Sequence, residues 1–361
     1  MQLKLGWKLR ALREASGLTQ AELARVLGIE NRQSLGLIEA GSRKMSAEEL
    51  VRAIEFFEIP IDEFATPFVV SPESRFSWRQ EGVANADLVR FEQQAGEWLA
   101  AWLELAQATG FDIAPIRQRL SLTRSSSFED AASAGEHIAA SWELGPVPAK
   151  VLPQAVESRL NALVLMVDAL PGISGAACRL PTVDAILINR CEPDYRRNFD
   201  LAHEVFHVMT WESMPPEHID GASPTNRRVE QLADSFASGL LMPASVLRDY
   251  DENSPDLASQ IAEAAAELNV SGTALRWRLA SAGKISQDVA RSLPADELRN
   301  GRSKRVEAPP ALYSKKFMEI LARGIAEGHI SVARTAKLAR TNIDELADLF
   351  CVHEVTCPFE L

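Results

Sequence analysis

The 361 residues suffice for two or three domains, and 46% hydrophobic with 24% charged side chains is a globular make-up, neither disordered nor membrane-embedded. A net charge of −12 argues against a general polyanion coat, so any affinity for nucleic acid must be local. Apolar runs such as "LNALVLMV" stop well short of the roughly 20 residues of a membrane span, and the start "MQLKLGWKLR" has no uninterrupted signal-peptide core. Cysteines 178, 191, 351 and 357 make no CxxC pair and no disulfide framework, so a reduced, cytoplasmic protein is expected.

Charge is uneven at the start of the chain. Residues 1–44 carry eight Lys/Arg against four Glu, whereas residues 45–63 carry six acids against Arg52 alone. A basic leading face on an acidic body suits one small nucleic-acid-binding module. Leu5, Leu9, Leu12 and Ala15 recur at helical spacing and Gly17 ends that helix. Thr19 with Glu22 forms a capping box for "QAELARVLG", "NRQSLGLIEAG" makes a third helix, and Ser46 with Glu49 opens a fourth. Two short helices joined by a tight turn suit a major groove, with Arg32, Gln33 and Ser34 at the leading end of the reading helix. Gln20, Arg43 and Lys44 would then contact phosphates. A small helical protein-binding domain is the alternative on pattern alone. The strings "LTQAELARVLGI" and "LIEAGSRKMSAEEL" resemble the lambda-repressor/Cro-type (XRE) helix-turn-helix family over roughly residues 5–64. Gly36, in the middle of the reading helix, departs from that pattern and leaves one base-facing position without a side chain.

"TPFVVSPESRFSWRQ" reads as a linker with a strand in it, and "ADLVRFEQQAGEWLAAWLELAQATG" as a long amphipathic helix. Trp98 and Trp102 belong to its core side, because no basic residues interleave with them as in a base-stacking platform. "FEDAASAGEHIAASWELG" is a further helix, whose His137 has no ligand-spaced partner and is structural. The period then changes: "NALVLMVDAL", "GISGAACRL" and "VDAILINR" are short aliphatic stretches between Pro/Gly breaks, a small sheet of about three strands. This region is therefore mixed α+β.

The stretch "NFDLAHEVFHVMTW" sets His203 and His207 one turn apart on one helix face, with Glu204 beside them. Two imidazoles at this spacing can take two corners of a metal tetrahedron while the carboxylate stays outside as a base for the attacking water. Glycine at 210 and histidine at 213, which the metzincin pattern requires, are replaced by Thr210 and Ser213. Downstream, "NRRVEQLADSFASGLLMP" is a helix that sets Glu230 and Asp234 four apart. Glu230 can complete a two-His, one-Glu set, and Asp234 can accept from the far nitrogen of a ligand histidine. His218, in the loop "MPPEHID", competes as the third ligand. Zinc is favoured, and iron or manganese also suits such a donor set.

"DAILINRCEPDYRRNFDLAHEVFHVM" followed by "VEQLADSFASGLLMP" resembles the ImmA/IrrE family of bacterial zinc metallopeptidases, over about residues 120–250. The resemblance implies that His203, His207 and Glu230 bind the metal and that Glu204 is the general base. Val205 and Phe206 replace the more usual Leu-Gly between the histidines. Oxyanion candidates are Tyr195, Arg197 and His218. Beyond residues 294–310, a polar linker, "GHISVARTAKLARTNIDEL" has a helix-turn-helix cadence and reads as an interaction lobe ahead of a second DNA reader. Cys351, His353 and Cys357 lack the tight spacing of a second metal site.

The expected architecture is α+β in four parts: an all-α helix-turn-helix domain (1–66), a linker and amphipathic helix (67–119), a zincin-like ImmA/IrrE-type domain (120–293) and a C-terminal helical lobe (294–361). The expected activity is a DNA-binding regulator with a zinc-dependent endopeptidase, acting on a repressor or partner protein in a stress, mobile-element or toxin–antitoxin module. Operator DNA and a homodimer are the expected partners. The alternative is a non-proteolytic repressor or antitoxin whose peptidase-like domain binds a partner.

Overall fold

The computed structural model describes residues 2–59, 61–64, 75–219, 223–299 and 308–360. Local capping chemistry sets the first helices: α1 (Gln2–Ala15), α2 (Gln20–Leu27), α3 (Arg32–Glu39), α4 (Ala47–Phe57) and a short α5 (Ile61–Phe64). Thr19 and Ser46 each close a capping box, with Glu22 and Glu49, and Gly28 ends α2 at a left-handed φ of 66°. Leu9, Leu23, Leu27, Leu35, Ile38 and Phe64 form the core of this unit.

The rest is built on one mixed sheet. β1 (Arg75–Gln80), β2 (Leu163–Val167), β3 (Ile173–Arg179) and β4 (Asp184–Asn189) lie in the order β1-β3-β4-β2. β3 is antiparallel to both neighbours, with Trp78 opposite Ala176 and Gly175 opposite Ile188, whereas β2 runs parallel to β4. The edge strand β1, which the sequence placed inside a linker, is the fourth member beyond the three aliphatic stretches.

Helices cover both faces. α6 (Asn85–Ala108) lies on one, and α7 (Phe128–Ser141), α8 (Pro148–Leu160), α9 (Asp194–Thr210) and α10 (Pro224–Leu241) lie on the other. α11 (Leu257–Leu268), α12 (Gly272–Ser281) and α13 (Gln287–Ser292) extend that second layer. α14 (Lys315–Ala326), α15 (Val332–Leu338) and α16 (Ile343–Val352) join α6 on the first. Alternation along the strands explains the division: Leu163, Leu165 and Leu187 face α6, and Val164, Ile186 and Ile188 face α9. Trp98 and Trp102 are buried in the α6 layer, and the Trp98 indole N–H donates to the Leu338 carbonyl. The chain is thus α+β, and among the described residues no helix is long and apolar enough to cross a membrane.

One contact sets the position of α10. A Cβ at Gly135 would stand 2.2 Å from the Phe236 carbonyl oxygen, and one at Gly239 would stand 2.0 Å from that of Ala132. α7 and α10 therefore meet backbone to backbone, which only glycine allows.

Candidate metal centre and nucleic-acid interface

α9 is buried from Asp200 to Thr210 because the sheet lies on one side of it and α8 and α10 on the others. His203, Glu204 and His207 are all fully buried in that stretch. Beneath Glu204, Gly175 of β3 keeps space open; a Cβ there would lie 3.8 Å from Glu204 Cγ and 2.9 Å from the Leu187 carbonyl oxygen.

Three ligand atoms converge from two helices. His203 Nε2 is 3.1 Å from His207 Nε2 and 3.0 Å from Glu230 Oε2, and His207 Nε2 is 3.5 Å from that oxygen. A small divalent cation held tetrahedrally at about 2.0–2.1 Å spaces its ligand atoms about 3.3 Å apart, so these separations match a site built for one. The second carboxylate oxygen of Glu230 is buried with no hydrogen-bond partner among the described residues, as a donor set awaiting a cation would leave it. Among the described residues this is the cluster able to hold a metal ion.

Electrostatics agree. The Nδ1–H of His203 donates to Asp234 Oδ1 at 2.9 Å, which directs Nε2 toward the cluster. Burial and Arg79 push the proton affinity of His203 down, but its bonds to Asp234 and Glu230 outweigh them and raise its pKa to about 10. Burial works against the charged form of Glu230, yet hydrogen bonds from His203 and His207 hold its carboxyl far below the ordinary range. Burial likewise opposes ionisation of Asp234, and His203 again prevails and holds it low.

Arg79 is the member that sequence reading missed. It stands on β1 with NH1 2.5 Å from His203 Nδ1, NH1 3.5 Å from Asp234 and Nε 3.1 Å from the buried Asp200. No motif spacing links residues 79 and 203; only the pairing of β1 with β3 brings them together. Arg79, Ser174, Arg196, His203, Glu230 and Asp234 line part of a cavity of about 520 Å³ that opens over the cluster.

The other candidates lie elsewhere. His218, the competing third-ligand candidate, bonds to Glu92 Oε2 at 2.5 Å and is not part of the cluster, whose third member is Glu230. Its loop runs along the outer edge of β1: the Trp78 amide donates to the His218 carbonyl, and the Ser77 hydroxyl donates to that of Glu217. Arg197 is turned toward the carbonyls of Arg190 and Glu192, and neither it nor Tyr195 lines the cavity. His353 bonds to the Leu312 carbonyl and Cys357 to that of Phe359, and with Cys351 they form no ligand cluster.

In the N-terminal unit, Arg32 and Gln33 are exposed and Ser34 half-buried at the start of α3, where Asn31 caps the Ser34 amide. Gln20 bridges two elements, donating to Glu39 at 2.9 Å and accepting from Arg32 Nε at 3.3 Å. Arg43 pairs with Glu49 at 2.8 Å, and Lys44 is exposed. Glu39 is buried against Arg13, a bidentate pair with contacts of 2.7 and 3.2 Å.

Residues 4–66 match the family described as a helix-turn-helix domain. Residues 173–280 match the family described as an IrrE N-terminal-like domain. No curated protein and no solved structure matches the chain. The chain therefore joins an XRE-like helix-turn-helix DNA-binding domain to a metallopeptidase-type domain of the IrrE N-terminal-like family, as a DNA-binding regulator with a metallopeptidase-like domain.

Proposed function

We propose that this regulator carries a working zinc-dependent endopeptidase that acts in the cytoplasm on a repressor or other partner protein of a stress, mobile-element or toxin–antitoxin module. The observation that carries the reading is the convergence of His203, His207 and Glu230 at 3.0–3.5 Å with a buried glutamate, Glu204, adjacent to the first of them. Bound there, zinc would supply Lewis acidity to polarise a peptide carbonyl and acidify water. Glu204 takes the proton of the attacking water and returns it to the leaving amine. Asp234 fixes the tautomer of His203. Gln20, Arg32, Gln33, Ser34, Arg43 and Lys44 engage operator DNA, and a palindromic operator would be bound by a homodimer.

Purified zinc-loaded protein, incubated with the regulator encoded beside it, is expected to cleave that partner, and Glu204→Gln is expected to abolish cleavage with zinc content unchanged. An intact partner with the wild type, at full zinc occupancy, overturns the reading. One observation favours a second reading, partner capture without turnover. The 217–219 segment occupies the outer edge of β1, where an extended peptide would otherwise add as a strand. A stable, uncleaved complex with the same partner would select it.

A further inference from the structure

The solvent side of α3 holds a combination that the fold does not call for. Leu35, Ile38 and Glu39 point inward, so at about 100° per residue Gln33, Gly36, Leu37 and Ala40 share the opposite side. Leu37 is 50% exposed there. Gly36 sits in ordinary helical backbone, outside the left-handed region. A Cβ on it would meet only Gln20 Nε2, at 3.8 Å, an ordinary contact. Neither conformation nor packing thus asks for glycine, although glycine inside a helix weakens it. At Gly135 and Gly239 the opposite holds, because neighbouring backbone fills the space.

The surroundings are cationic. Arg32 and Lys44 are exposed and Arg43, paired with Glu49, is half-buried; of the nearby acids Glu30 is exposed, and Glu39, the one acid of α3, is buried against Arg13. A phosphate-lined groove complements the exposed cations, and a leucine on the face turned to the groove would find an apolar counterpart on the base edges. In the major groove that counterpart is the C5 methyl of thymine.

Resting on the DNA-binding reading above, we propose that Leu37 is a specificity-determining residue that seats on a thymine methyl. Gly36 lets α3 approach the base edges more closely than any side chain would permit. Gln33, on the same side, reads a neighbouring base.

The experiment begins with a duplex selected by full-length wild-type protein from a random pool. Affinity for it is then measured at one fixed salt concentration for wild type, Gly36→Ala and Leu37→Ala, alongside their melting temperatures. Each thymine of the duplex is replaced in turn by deoxyuridine, which removes only the methyl. Gly36→Ala is expected to melt higher yet bind about tenfold more weakly, an opposition that a purely structural glycine would not produce. One deoxyuridine is expected to weaken the wild type about fivefold and to leave Leu37→Ala unmoved. The proposal is overturned if Gly36→Ala binds as tightly as wild type. It is also overturned if no methyl distinguishes wild type from Leu37→Ala, or if Leu37→Ala changes the oligomeric state, which would assign the leucine to a second copy. If the wild type selects no sequence at all, the DNA-binding reading itself fails.

Discussion

Glu204 is fully buried, faces the space that Gly175 leaves open and borders His203 along the chain, so its replacement by glutamine keeps shape and burial while removing the base. Hydrolysis is expected to fall by about 10²- to 10⁴-fold, with zinc stoichiometry by atomic absorption unchanged. Glu230→Gln acts on the other half of the centre: it removes a ligand charge, and zinc affinity in a chelator competition is expected to fall at least tenfold. Arg79→Ala tests the residue no motif revealed. It leaves Asp200, 2% exposed, with only the longer 4.0 Å pairing to Arg196 and is expected to cost about 2 kcal/mol in urea unfolding. The low end applies because Arg79 itself keeps 29% side-chain exposure.

Among elements, α7 and α10 make the sharpest prediction. Gly239→Ala drives a methyl into the Ala132 carbonyl and moves α10, which bears Glu230 and Asp234. A loss of about 2–3 kcal/mol is expected in thermal unfolding, with zinc affinity falling in parallel. The loop beside β1 should respond to pH. The hydrogen bond to Glu92 raises the pKa of His218 from its ordinary 6.5, with burial opposing. The tether is therefore complete below 6.5 and lost as pH climbs through the raised value. Exchange of the Trp78 amide, which donates to the His218 carbonyl, should accelerate across that window beyond the intrinsic base-catalysed rise.

These elements were unequally legible in the sequence. Capping boxes at Thr19 and Ser46 depend on residues three apart, so a linear reading finds them. The i, i+4 histidines and the Glu230/Asp234 pair lie on single helices and yield to the same periodicity. β1 is different: it is six residues long, has apolar residues only at Phe76 and Trp78, and is defined by its pairing with β3 about a hundred residues later. Arg79 and the covering of the sheet by α14 and α16 belong to the same class, since partners brought together only by tertiary contact leave no local period. The second helix-turn-helix cadence is a helical hairpin whose α16 opens with Asp344 and Glu345, charges that would repel a phosphate backbone.

At the scale of the molecule the two halves should respond separately. Zinc at a hundredfold excess over its dissociation constant stabilises a site by about 2.7 kcal/mol. Calorimetry is expected to show that gain in the transition of the sheet-bearing half alone, with the helix-turn-helix transition unmoved and operator affinity unchanged by chelation. A merged transition that shifts as a whole would contradict this independence.

One feature of the sheet bears on the order in which the protein comes into being. The reading module closes its core within residues 9–64, whereas the layer that α6 begins on its face of the sheet is completed only by Phe317, Ile320, Leu321, Leu346 and Phe350. On a ribosome the first module can mature before the sheet-bearing half has received its last core residues. A growing polypeptide would thus hold a finished helix-turn-helix module before the half that carries His203, His207 and Glu230 has closed its core.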